Sequence, residues 1–70
     1  MIVKVVEVIG VSDKGFTEAA QNSVKEAAKS LKNIKSIYIK NMHATVKDDK
    51  IVSYAVNAKI SFEVVDKKEL

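Results

Sequence analysis

The sequence predicts an α+β protein of β-α-β-β order, in which a three-stranded antiparallel sheet packs on one helix. Three observations predict it. Ile2 to Ile9 is a dense β-branched run, Phe16 to Leu31 repeats its apolar residues at helical spacing, and Val52 to Val64 alternates with period two for thirteen residues. If the helix carries the chain back across the sheet, the first two strands run parallel. The third then sits between them, antiparallel to both, in the order 1-3-2.

The first strand is apolar on both faces and interrupted only by Lys4 and Glu7. In so small a protein, a strand with two apolar faces points to a partner subunit on one of them. Gly10 is expected to end it, and Val11-Ser12-Asp13-Lys14-Gly15 reads as a loop carrying helix-start chemistry. Gly15 with Glu18 three residues on fits an N-cap and its acid, with Ser12 and Asp13 as competing caps.

The helical stripe is Phe16, Ala20, Val24, Ala27, Ala28 and Leu31, widened by Ala19 and Ser23. Gln21, Asn22, Lys25, Glu26, Lys29 and Lys32 fill the other side. Small alanines on the inner face let a helix approach a sheet closely. The helix is expected to stop near Lys32-Asn33, because Asn tolerates a left-handed cap.

Ile34 to Lys47 reads as a long strand with a fault. Ile37 and Ile39 share one parity, while Met42, Ala44 and Val46 share the other. Keeping both sets on the core requires an extra residue near Lys40-Asn41, which a β-bulge supplies. Lys47-Asp48-Asp49-Lys50 is a hairpin turn, and Asp66 to Leu70 a polar tail. The helix is shorter than the two long strands, so one sheet face and the strand ends are left to water or to neighbours.

Composition narrows the function. Seventy residues make one small domain spanning 1–70, and 47% hydrophobic residues is too many for a disordered chain. No apolar stretch approaches the roughly 20 residues of a membrane span, and nothing at the start reads as a signal peptide. Without cysteine there is no disulfide framework or thiolate metal site, and His43 is the only histidine. A cytoplasmic protein is the expectation. Ordering each residue costs on the order of 1.5 kcal/mol, which a core this small barely offsets, so oligomerisation is the remaining source of stability.

The net charge of +3 comes from twelve Lys against nine acids, with no Arg. Lys25, Lys29, Lys32 and Lys35 gather near the end of the helix, where cations suit the macrodipole; a solvated helical face explains them better than a nucleic-acid patch. Catalytic constellations are thin. Ser36, Ser53 or Ser61 would need His43 as base and an acid to orient it, and nothing in the pattern assembles such a triad. Asp48-Asp49 reads as turn chemistry before it reads as a cation site. The closing Lys-Lys-Glu-Leu resembles a retention tail, a signal that means nothing without a leader. The chain is not expected to be an enzyme.

From about residue 2 to 65 the chain resembles the dodecin family. Val8-Ile9-Gly10-Val11-Ser12 is similar to the family's strand followed by Gly-x-Ser, and Gly15-Phe16-Thr17-Glu18-Ala19-Ala20-Gln21-Asn22-Ser23-Val24 to its helix start. Ser30-Leu31-Lys32-Asn33-Ile34 resembles the helix exit; Ile51-Val52-x-Tyr54-x-Val56 and Ile60-Ser61-Phe62 resemble the last strand. The resemblance implies a hollow dodecamer of cubic symmetry, built from β-α-β-β protomers with the helices outside. It also implies binding of flavins, often in stacked pairs, for storage or quenching rather than catalysis.

The same resemblance marks where this chain departs. Ser36 stands where flavin-binding members carry the Trp that stacks on the isoalloxazine ring, and Ala55 where a Gln bonds the ring edge. A hydroxymethyl cannot stack and a methyl has no donor or acceptor. Asn41 stands where an acid contacts the ribityl chain, and it can still hydrogen-bond. Tyr38 shares a strand face with Ser36 and reads either as a substitute ring or as a packed interface aromatic. Ser36 and Ala55 are both expected to face away from the helix. Some dodecin-like proteins without the Trp are cation-binding or are assemblies alone. Two readings follow: a homo-oligomeric small-molecule-binding or storage protein whose riboflavin or FMN site is degenerate and weak, or a flavin-independent structural or cation-binding shell.

Overall fold

The computed structural model describes residues 1–64. The chain runs β1 (Ile2–Ser12), α1 (Phe16–Ala28), β2 (Ile34–Lys47) and β3 (Lys50–Val64), and the sheet order is β1-β3-β2, antiparallel at both junctions. This is the predicted β-α-β-β fold. The polar tail lies outside the described residues.

β1 does not end at Gly10. It continues to Ser12, with Gly10 paired to Val56 and Ser12 to Tyr54, so the loop shrinks to 13–15. Gly10 is where the helix crosses closest. A Cβ built there would lie 2.0 Å from the Ala19 carbonyl oxygen and 2.9 Å from the Ser23 Cβ. Ala19 and Ser23 are therefore the centre of the buried helix face, not its margin; both are buried. Ser23 Oγ donates to the Ala20 carbonyl at 2.6 Å, which satisfies the hydroxyl inside its own helix.

Asn22 also departs from its expected place among outward residues. Its Nδ2 donates to the Val11 carbonyl at 3.0 Å and ties the helix to β1. Gly15 is the N-cap but makes no side-chain cap bond; Ser12 Oγ accepts from the Lys14 backbone N–H at 2.9 Å and so shapes the loop instead. The helix proper stops at Ala28, four residues before Lys32. Its last turn loosens into bonds from Ser30 and Leu31 to the Ala27 carbonyl. Asn33 does take a positive φ of 61°, and its carbonyl accepts from the Glu63 N–H at 3.0 Å.

The bulge in β2 falls where the parity change requires it: Ile39 pairs with Ala58 and Asn41 with Asn57, leaving Lys40 unpaired. Two further irregularities, at 34–36 and 45–46, were not anticipated. The 48–49 turn has φ of 52° and 63°, the positive pair of a type I′ hairpin.

Among the described residues, Ala19, Val56, Ala58 and Ile60 are the buried apolar side chains, with Val8, Phe16, Ile37 and Ile39 packed around the cluster of Ala19, Val56 and Ala58. Phe16 meets Tyr54 edge to face, with ring centroids 5.0 Å apart. The expectation that Met42 and Val46 join this core fails, since both are exposed. The reason is length. Thirteen helical residues span about 20 Å, while fifteen residues of β3 span about 50 Å, and the molecule extends over 57 × 19 × 13 Å. The helix lies over β1 and β3 and scarcely touches β2.

Candidate functional site

The sheet face turned from the helix carries all four singled-out residues. Its rows are read straight from the register, in the order β1-β3-β2: Val5–Ser61–Ser36, Glu7–Lys59–Tyr38, Ile9–Asn57–Asn41 and Val11–Ala55–His43. The Lys40 bulge puts Asn41 on this face together with Ser36 and Tyr38. Without it, Asn41 would point to the helix side.

The sheet does not bring these residues to one point. Ser36 lies in the row of Ser61, six residues along β3 from Ala55, which is about 20 Å. Tyr38, Asn41 and Ala55 occupy three consecutive rows. A stacking group at 36 and an edge group at 55 of one chain cannot meet on one flat ring.

Each position has definite local chemistry. The Ser36 and Ser61 hydroxyl oxygens lie 2.6 Å apart in a hydrogen bond. Tyr38 is 65% exposed beside Lys59. Asn57 Nδ2 donates to Asn41 Oδ1 at 2.6 Å, and among the described residues nothing bonds Asn57 Oδ1, although solvent does not reach it. Ala55 adds a half-buried methyl between Val11 and His43.

A cleft of about 370 Å³ opens at this amide pair, lined by Glu7, Ile9, Lys40, Asn41 and Asn57 among others. Asn57 was not singled out in the sequence, and Lys40 only as the place of the bulge. The signal was present in the register: once the bulge is counted, two amides fall opposite one another on the polar parity. On the helix side, a second hollow of about 300 Å³ lies between Phe16, Ala20, Ile37, Ile39 and Met42, and it is almost wholly apolar. Among the described residues no three His, Asp or Glu side chains gather as a metal site. No helix there is long and apolar enough to cross a membrane.

Fold and site define a helix-backed, three-stranded sheet protein whose second sheet face is uncovered, with apolar side chains at one edge and paired polar ones in the middle. The chain belongs to the dodecin family, whose model matches residues 2–65. It resembles the dodecin from Streptomyces davaonensis, at 22% identity over 93% of this chain and 96% of that one, with a TM-score of 0.88. An arginine-to-alanine mutant of the Thermus thermophilus dodecin is 25% identical over 93% and 97%, with a TM-score of 0.89. A calcium dodecin from Mycobacterium tuberculosis, described with a novel calcium-binding site, is 23% identical over the whole of both chains, with a TM-score of 0.80. No curated protein matches the chain.

Proposed function

We propose that the chain is a single-domain protomer of a dodecin-like homo-oligomer that binds or stores a small molecule without catalysis, through a flavin site of reduced affinity. The observation that carries this reading is the common placement of Ser36, Tyr38, Asn41 and Ala55 on one uncovered face, where Val5 and Ile9 are also exposed. Its apolar edge, where Val5, Ile9 and Val11 are exposed along β1, supports burial of that edge against a partner subunit. The uncovered face, the small core and the family support a dodecamer. A cysteine-free chain supports a cytoplasmic location.

Riboflavin and FMN are the ligands to test first. Tyr38 supplies an exposed ring and Asn41 an amide, while Ser36 and Ala55 supply neither stacking nor an edge bond. Stacking is worth roughly 1–3 kcal/mol per contact, so its loss at 36 lowers affinity by about 5- to 150-fold. The 20 Å between positions 36 and 55 supports a pocket shared by two subunits. The test is fluorescence-quenching titration of riboflavin and FMN, with the absorbance of the freshly purified protein read first. Micromolar or weaker saturable quenching fits the reading. Absence of saturable quenching with both ligands overturns it.

A flavin-independent, cation-binding shell is the second reading, favoured by the calcium-binding site described for the M. tuberculosis protein. Here such a site would have to be completed between subunits. Calcium-dependent assembly in a flavin-free preparation would select it.

A further inference from the structure

Past the row of Ser12 and Tyr54 the sheet has only two strands. β1 ends there, and α1 begins there with Phe16 packed on Tyr54, so the hairpin segment 45–53 projects beyond both as a bare arm. A two-stranded ribbon by itself is marginal in water, and this one has nothing of its own chain over either face.

The arm gathers its apolar side chains on the helix side. Met42 pairs with the buried Val56, and strand parity carries Ala44 and Val46 to the same side. On β3, Val52 is left over between the pairs Thr45–Ser53 and Val46–Ile51, a bulge that brings Ile51 to the helix side next to Val52. Met42, Val46, Ile51 and Val52 are 52%, 62%, 53% and 43% exposed. Together they leave on the order of 400 Å² of apolar side chain, within the range of patches that mark contact surfaces. Through Met42 the patch continues into the apolar hollow beside Phe16 and Ile39. Charge returns only at the tip, where Lys47, Asp48, Asp49 and Lys50 supply two cations and two anions.

We propose that this patch is a contact between copies of the chain, in which the helix side of one arm packs on the helix side of another, separate from any contact made through the exposed β1 edge. The inference rests on the homo-oligomer reading above. Two such patches bury about 800 Å² from the four residues alone, and the adjoining hollow brings the contact to the roughly 1,000 Å² that a specific interface clears. The tip is self-complementary in charge, so two antiparallel arms set Lys against Asp. One isologous contact yields only a dimer, and a closed assembly larger than that needs a second, distinct one. The arm offers it on the opposite side of the sheet from Val5 and Ile9.

The chain has no cysteine, so single-cysteine variants report the contact directly. In the intact assembly, Val46→Cys should react with a thiol reagent at least tenfold more slowly than Gln21→Cys, on the exposed side of α1. Light scattering then sizes Val46→Asp, Val5→Asp and the double variant, with circular dichroism confirming the fold of each. Val46→Asp should give smaller species still held by the other contact, and the double variant monomers. Equal labelling rates in a full-size assembly overturn the inference, leave the arm open to some other molecule, and leave the oligomer reading standing. Full-size assembly of Val46→Asp does the same, and monomers from Val46→Asp alone overturn the separation into two contacts. A parent protein that does not assemble removes the oligomer reading and the inference with it. Labelling needs no disruptive substitution, so an aspartate variant that fails to fold does not block the test.

Discussion

At Gly10 the argument for one residue is steric rather than conformational. Its backbone is ordinary strand, and the constraint is the Ala19 carbonyl pressed against it, 2.0 Å from where a Cβ would stand. The obstacle is helix backbone, which cannot swing aside as a side-chain tip would. Gly10→Ala should therefore cost about 3 kcal/mol or more, at the upper end of overpacking effects. Its check is the urea midpoint of the variant against the parent. A change below about 0.5 kcal/mol would mean the helix does not approach β1 this closely. By contrast, Ser36 and Tyr38 lie on the uncovered face, where added bulk meets no protomer core.

At the scale of an element, the β2–β3 hairpin carries an avoidable strain. Type I′ geometry needs positive φ at both central positions, and here both are filled by aspartate, at 52° and 63°. Aspartate tolerates this region and glycine adopts it freely. Asp49→Gly should stabilise the protein by about 0.5–1 kcal/mol, read as a higher thermal midpoint with no change in assembly. A lower midpoint would show that Asp49 holds the turn through its side chain. The helix shows the opposite economy. It forms without a side-chain cap on its first turn and relies on packing at Ala19 and on the Asn22 bond to Val11. Asn22→Ala should cost about 1 kcal/mol in the same denaturation assay.

The whole molecule is a long sheet with a short helix, which leaves one sheet face and the ends of the long strands uncovered. Light scattering at micromolar concentration should show a large closed assembly; a stable monomer or dimer would refute it. Val5 lies on the uncovered face in the row of Ser36, so Val5→Asp should break the assembly into smaller species if that face is a subunit contact. An unchanged assembly would place the contact elsewhere. The double change Ser36→Trp, Ala55→Gln returns a stacking ring and an edge donor, and should tighten riboflavin binding at least tenfold in the intact assembly. Because the two positions are about 20 Å apart in one chain, that gain should vanish in any variant that dissociates. A gain that survives dissociation would refute the shared pocket.

Element types, their order and the strand order 1-3-2 were legible in the sequence because hydrophobic period is a local property: two for Val52–Val64, helical for Phe16–Leu31. The Lys40 bulge was legible for the same reason, since a parity change has only one remedy if both halves are to face the helix. Boundaries were less so. Gly10 and Ser12 look like strand breakers until the helix is seen to need a residue without a side chain beneath Ala19. Met42 and Val46 read as core by parity, yet parity names a face and not whether anything covers it; only the 20 Å helix decides that. Ser36, Tyr38 and Ala55 were expected on one sheet face and lie on the face turned from the helix, but their separation was not foreseen, because distance along a sheet depends on register across strands. Asn57 escaped for the same cause: its partner lies sixteen residues away, on the far side of a hairpin. The amino-acid pattern thus determined which elements form and which sheet face the alternating strand residues take. The tertiary pairing alone decided which of those side chains meet, since contact depends on register and on the relative lengths of helix and sheet, and neither is written in any local stretch of the chain.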